Sequence, residues 1–250
     1  DETIAKHPAD KIESIALSVF GFSRGATLAR AFARRVNERC SWQGKQAVWP
    51  DVNKSLNIAF LGLFDTVASV GLPASAGLGA SQVAVNPDQL SKQLDNRRTG
   101  FKSGLQWQAF GDQPGADPTP WVFDGHMGWA RDLRIPPVVA RTVHLMAMNE
   151  LRNSFPLDTI WNGNELPEGA TEIVYPGAHS NVGGGYRPGE GGKSVSHRLM
   201  LSKIPLRKMC EEAINGGVPL RPLTNPRLGR DFAFDPELSE RFNRVMSKSG

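Results

Sequence analysis

Gly21-Phe-Ser23-Arg-Gly25 is the first grouping in this sequence with the means to do chemistry. A serine with glycines two residues to either side is the pattern of a nucleophile elbow. There the serine sits on a strained turn between a strand and a helix, its hydroxyl projects above the sheet, and the glycines let the backbone close without Cβ clashes. The N–H of Arg24, beside the N-terminus of the following helix, could then help stabilise a tetrahedral oxyanion. The bare pattern also arises by chance in a chain of this Gly and Ser content. Its context strengthens it, because a buried strand stands directly before it and an amphipathic helix directly after.

A serine nucleophile needs a base, and the base needs an orienting acid. The chain has 5 histidines: His7, His126, His144, His179 and His197. His7 and His197 lie in polar stretches and read as solvated. His126 lies in an aromatic insertion. His144 falls inside a predicted helix, where packing or capping is the simpler role. His179 alone follows a predicted strand in a Gly-rich loop, the setting that positions catalytic side chains, although a loop histidine can also be a plain surface group. Among the acids, Asp65 ends a buried strand, and residues 66–87 hold no Asp, Glu, Lys or Arg. A carboxylate so placed needs a partner or costs several kcal/mol; a turn cap to the backbone is the alternative. The order Ser23, Asp65, His179 is that of α/β-hydrolases. His179 is expected within hydrogen-bond reach of Ser23 Oγ, with its other nitrogen facing Asp65.

These side chains need elements to hold them. Residues 14–20 and 56–64 are apolar runs that read as strands buried on both faces, and 171–175 reads as a third. A helix is predicted over about 26–39, with Leu28, Phe32 and Val36 as its inward stripe, Ala29 and Ala33 beside them, and Arg30, Arg34 and Arg35 flanking it. Pro136-Pro137 opens a predicted helix to about Asn153. Another covers 198–215, its apolar face made by Leu199, Ile204, Leu206 and Met209, stopping at Gly216-Gly217. The last 30 residues read as weakly patterned. Residues 66–135, uncharged at first and then aromatic, form a candidate cap over the site. Strands alternating with helices give an α/β fold with a mostly parallel central sheet, functional groups at the strand carboxyl ends, and one catalytic domain over 1–250.

Composition excludes several classes. With 40% hydrophobic and 22% charged residues over 250 positions, the chain can bury a full core without staples. Disorder and collagen-like repeats do not fit, and no run of 18 apolar residues suggests a membrane span. A net charge of +4, spread along the chain, gives no nucleic-acid footprint. Two cysteines, Cys40 and Cys210, cannot build a disulfide scaffold or a Cys-rich zinc site, although one disulfide stays open. No HExxH, EF-hand loop, Walker A or CxxC pattern occurs, so no metal or organic cofactor is expected. Gly183-Gly-Gly185 could cradle an anion but is more simply the turn that holds His179. No signal-peptide pattern opens the chain.

Gly-Phe-Ser-Arg-Gly-Ala (21–26), Phe64-Asp65-Thr-Val and His179-Ser-Asn-Val-Gly-Gly-Gly-Tyr186 resemble a bacterial and fungal family of α/β-hydrolases that includes the phospholipase effectors of type VI secretion. Met148-Asn-Glu-Leu-Arg-Asn-Ser-Phe155 with Trp161, and Leu201-Ser-Lys-Ile-Pro-Leu-Arg207, are similar to it too. The resemblance implies a Ser23–Asp65–His179 triad that cleaves phospholipid acyl esters with phospholipase A2-type regiochemistry. It further implies export by the type VI apparatus, action in a rival cell's periplasm and a cognate immunity protein. A carboxylesterase for soluble esters, or a non-catalytic α/β binding module, are the alternative readings. The family usually has Asp two residues after the histidine, where this chain has Asn181. The family also opens with an earlier strand whose loop supplies a second oxyanion donor. Residues 1–250 alone are therefore expected to be poorly soluble or nearly inactive.

Overall fold

A computed structural model of the chain describes residues 12–68, 128–130, 132–150, 155, 157–184, 186–190, 194–225, 229 and 232–247. Its frame is a sheet of six strands. The strand β1 (Ser14–Phe22) runs parallel to β4 (Lys54–Phe64), and β4 runs parallel to β5 (Thr142–Ala147), which runs parallel to β6 (Ala170–Tyr175). Leu61 of β4 pairs with Val19 on one side and Thr142 on the other, so β4 is central. A short hairpin, β2 (Ser41–Gln43) and β3 (Gln46–Trp49), turns through Gly44 at φ 62° and joins the start of β4 antiparallel.

The register between β1 and β4 shifts at Leu17/Ser18. This bulge explains the packing of β4. Leu56 and Ile58 before it, and Leu61 and Leu63 after it, all join the same core, while Phe60 goes to the opposite face. The first core lies under α1 (Arg24–Arg39), through Ala26, Ala29, Ala33 and Val36. The second lies under α3 (Lys203–Asn215), where Met209 and Ala213 meet Phe60, Val143, Leu145 and Tyr175. Fully burying a Leu, Ile or Phe is worth roughly 1.5–3 kcal/mol, so these two layers hold the sheet from both sides. Gly62 keeps the second layer close: a Cβ there would lie 2.5 Å from the Phe20 ring and 2.9 Å from Met209 Sδ.

Several elements differ from the sequence expectation. Residues 142–147 form β5, a strand, and not part of a helix over 136–153. Met, Leu and Ala favour helix on propensity alone, but Thr142–Met146 is a continuous buried run between two parallel strands. On α1 Ala29, Ala33 and Val36 face the core as expected, but the large residues do not. Leu28 is 60% exposed and Phe32 43%, whereas Arg30 is fully buried. Apart from Arg30 the buried residues of α1 are small, among them Ala26, Ala29, Ala33 and Val36, and let the helix lie close to the sheet. In α3, Leu206 is exposed, and the helix starts at Lys203 after a short 3₁₀ turn at His197–Leu199. The C-terminal stretch contains a helix, α4 (Pro236–Met246), capped by Asp235 through the Glu237 N–H, with Pro236 at its first position. Phe242 of α4 packs on Tyr175 at 5.8 Å between ring centroids. Cys40 and Cys210 are both free thiols, so the disulfide left open by the sequence does not form. His7, His126 and residues 69–127 of the expected cap lie outside the described residues. The described end of that region, at Trp129, Ala130 and Leu133, packs with Ala31 of α1.

Candidate active site

β1, β4 and β6 deliver Ser23, Asp65 and His179 to the same edge of the sheet, at the strand carboxyl ends. Phe22 pairs with Phe64, so Ser23 and Asp65 leave adjacent strands side by side. Ser23 N–H donates to Phe64 O at 2.9 Å, and Val67 N–H donates to Ser23 O at 3.3 Å. The serine therefore belongs to the same knot of backbone as the acid. Its φ is 58° and its ψ −126°, and Asp65 has φ 41°. Both are strained conformations for residues with a side chain, of the kind that cluster at functional sites.

The glycines of the elbow act unequally. A Cβ on Gly21 would lie 2.3 Å from Gly25 O, so the chain can double back there only without a side chain. A Cβ on Gly25 would meet nothing within 4 Å. Arg24 opens α1, where the first backbone N–H groups have no acceptor within the helix.

Asp65 is 3% exposed, and its partners account for that burial. Oδ1 accepts the Ala147 N–H at 2.7 Å, and Oδ2 accepts from His179 Nδ1 at 2.6 Å. The contact to an ionised carboxylate makes Nδ1 the protonated nitrogen of His179 and leaves Nε2 as an acceptor. No hydrogen bond from Ser23 Oγ to His179 forms among the described residues; such contacts tighten when substrate binds. His179 is 4% exposed. Its ring lies against those of Phe22, at 4.5 Å, and Phe155, at 4.9 Å. The two phenyl rings fix the imidazole plane and keep water from it.

His179 stands at the first position of a single helical turn, α2 (His179–Gly183), where an open Gly-rich loop was expected. Asn181 closes that turn, because its Oδ1 accepts the Ala178 N–H at 3.0 Å. This is an acceptor's task, which an aspartate would do as well, so the family's usual Asp can be Asn here without loss of the contact. Gly183 allows α2 to approach the elbow: a Cβ there would lie 1.9 Å from the Phe22 ring.

Sequence reasoning gives three contributors no part in the site, although Asn149 and Glu150 lie in the 148–155 block that resembles the family and His144 reads as a packing or capping residue. The Glu150 carboxylate accepts the His179 N–H at 3.1 Å. Asn149 exchanges hydrogen bonds with Gly177, at 2.9 and 3.0 Å, and so zips the end of β5 to the loop before His179. His144 is fully buried beneath the Asp65 turn. The signal for all three was the strand nature of 142–147, which carries them to the same sheet edge. Among the described residues no group of three or more His, Cys, Asp or Glu could hold a metal ion, and no helix is long and apolar enough to cross a membrane.

A mostly parallel sheet sandwiched by helices, with a buried Asp–His pair beside a serine on a strained strand-to-helix turn, defines an α/β-hydrolase-like protein. The sequence matches the family described as T6SS, phospholipase effector Tle1-like, catalytic domain over residues 38–212, and the chain belongs to that family. The matched span holds Asp65 and His179 and begins after Ser23. Among solved structures, an uncharacterized protein from Pseudomonas aeruginosa is similar at 31% identity and a TM-score of 0.67, over 100% of this chain and 30% of that one. The Tle1 effector bound to the VgrG spike of the type 6 secretion system is similar in fold, at 21% identity and a TM-score of 0.50, over 94% of this chain and 53% of that one. The chain thus spans between about a third and a half of these proteins' lengths. No curated protein matches it.

Proposed function

We propose that this chain carries the catalytic machinery of a serine ester hydrolase that cleaves acyl esters of membrane phospholipids, with phospholipase A2-type regiochemistry. The observation that carries the reading is the buried 2.6 Å contact between Asp65 and His179, set beside Ser23 in its left-handed turn. In this mechanism His179 Nε2 takes the Ser23 proton as Oγ attacks the acyl carbonyl. The same nitrogen then protonates the leaving alcohol and later activates the water that releases the fatty acid. Asp65 holds the tautomer and stabilises the imidazolium. The Arg24 N–H is one donor to the oxyanion. Family membership favours phospholipid over soluble esters, and favours an antibacterial role after export by the type VI apparatus into a target cell's periplasm. Partners of that role would be a spike protein of the apparatus and a cognate immunity protein.

A fluorophosphonate probe and a defined phospholipid with different sn-1 and sn-2 chains test the proposal together. Labelling should fall on Ser23 and vanish in Ser23→Ala, and mass spectrometry should show the sn-2 fatty acid released. Labelling without release from lipid, but with turnover of a short soluble ester, would support a carboxylesterase. A folded protein that neither labels nor turns over any ester would support a binding module.

A further inference from the structure

Behind the Asp–His pair lies a second buried histidine that the mechanism above does not use. His144, on β5, is fully buried. Its Nδ1 sits 2.7 Å from Glu172 Oε1 on β6, and its Nε2 is 3.1 Å from both the backbone nitrogen and Oγ1 of Thr66, the residue after Asp65. An amide N–H can only donate, so Nε2 must present a lone pair. The proton therefore sits on Nδ1 and is given to Glu172, and the ring is a neutral Nδ1–H tautomer.

Glu172 is fully engaged in turn. Its Oε1 also accepts the Ile160 N–H at 3.0 Å, and Oε2 accepts from Thr159 Oγ1 at 2.7 Å. Burial would raise this carboxyl, but the bonds from His144, Ile160 and Thr159 outweigh it and hold Glu172 below the ordinary carboxylate range. The rest of the turn is pinned the same way. Thr66 O accepts the Asp158 N–H at 2.9 Å, and Val67 O accepts from Thr27 Oγ1 at 2.6 Å. The Asp65 N–H donates to Leu145 O at 2.7 Å, and the Thr66 N–H bond to His144 holds the residue from its other side; a strained residue, here at φ 41°, persists only where its surroundings over-determine it.

We infer that His144, oriented by Glu172, is a positioning residue that clamps the Thr66 N–H and so holds Asp65 in the left-handed conformation that aims its carboxylate at His179. The inference rests on the triad reading above. It acts through Asp65 and touches neither Ser23 nor substrate.

A two-by-two set of Asp65→Asn and His144→Asn variants of the full-length protein, assayed on a short-chain soluble ester, tests it. His144→Asn should lower kcat on the order of 10²-fold, the usual effect of about 1 Å of misplacement, with KM within about twofold. It should move the acid limb of the kcat/KM profile to lower pH, because the imidazolium of His179 loses its carboxylate. His144→Gln, whose side-chain oxygen can reach the Nε2 position, should restore most of kcat. In the Asp65→Asn background, His144→Asn should add nothing. Losses that multiply, or a folded His144→Asn protein with an unchanged profile, would overturn the inference. An Asp65→Asn protein with full activity would instead bring down the triad reading. ¹⁵N NMR of the wild-type protein needs no variant to fold. It should show His144 protonated at Nδ1 only at neutral pH, and an Nε2–H or doubly protonated His144 would refute the clamp.

Discussion

Asn181 separates shape from charge at the site. Its Oδ1 caps the turn that starts at His179, and that contact requires an acceptor, not an anion. Asn181→Asp should therefore keep kcat within a few fold, whereas Asn181→Ala should lose the cap, worth about 0.5–2 kcal/mol, and lower kcat as His179 loosens. Urea unfolding and ester turnover on the two variants check this; equal losses in both would mean that the amide nitrogen matters instead. Asp65 is the opposite case, because its charge stabilises the imidazolium. Asp65→Asn should cost on the order of 10⁴ in kcat with little change in fold, measured by turnover and circular dichroism. Ser23, Asp65 and His179 were legible as candidates because chemistry demands those types at strand ends in that order. Glu150, Phe22 and Phe155 were not. A carboxylate that accepts one backbone N–H and a ring that stacks on an imidazole leave no spacing pattern, since their partners lie across the fold.

The largest departures from the sequence reading lie in the elements, and they share a cause. On α1 Arg30 faces inward beside the small core residues, and its guanidinium donates to Leu133 O at 2.8 Å, Asp158 O at 2.7 Å and Thr159 O at 2.9 Å and pairs with the Asp158 carboxylate at 3.2 Å. Amphipathic reasoning puts arginine outside and Leu28 and Phe32 inside. A fully paired buried arginine reverses that phase, and only the distant carbonyls that satisfy it could have revealed this. Arg30→Met should cost about 3–5 kcal/mol by removing the buried guanidinium that pairs with Asp158 and donates to three carbonyls, while Phe32→Ser should stay within about 0.5 kcal/mol. Chemical denaturation distinguishes the two phases; the reverse ranking would restore the sequence-based helix face. The same tertiary override made a strand of 142–147. The cross-link from β5 to β6, His144 to Glu172, also sets an acid sensitivity. The Glu172 carboxyl is held below its ordinary range, so its stabilising effect is complete above that range and is lost as pH falls through the depressed value. Glu172→Gln should flatten the fall of stability with acid, measured as denaturation midpoint against pH; a parallel fall in the variant would assign the acid sensitivity elsewhere.

At the scale of the whole molecule, β4 closes the sheet on one side of the elbow strand, and no described strand lies on the other. Among the described residues β1 pairs only with β4, so on its other edge the N–H and C=O groups of every second residue meet no strand among those described. Ile15, Leu17 and Val19 pack under α1, but Ser14, Ala16, Ser18 and Phe20, on the other face, are exposed, Phe20 at 44%. Beside this edge, Leu28 and Phe32 of α1 are exposed as well. An edge of that length with no strand among the described residues against it, and without Lys or Pro along it, is a template for another strand. The 250-residue chain produced by itself should therefore self-associate with rising concentration, seen by light scattering. Ala16→Lys, which places a charge on the exposed face of the edge, should reduce the association while leaving Asp65 and His179 undisturbed. The edge strand is also the one that leads into Ser23, so pairing along it ends one residue before the nucleophile. If Ala16→Lys scatters as strongly as the parent chain, association runs through another surface, and the apolar face of Leu28 and Phe32 becomes the one to substitute.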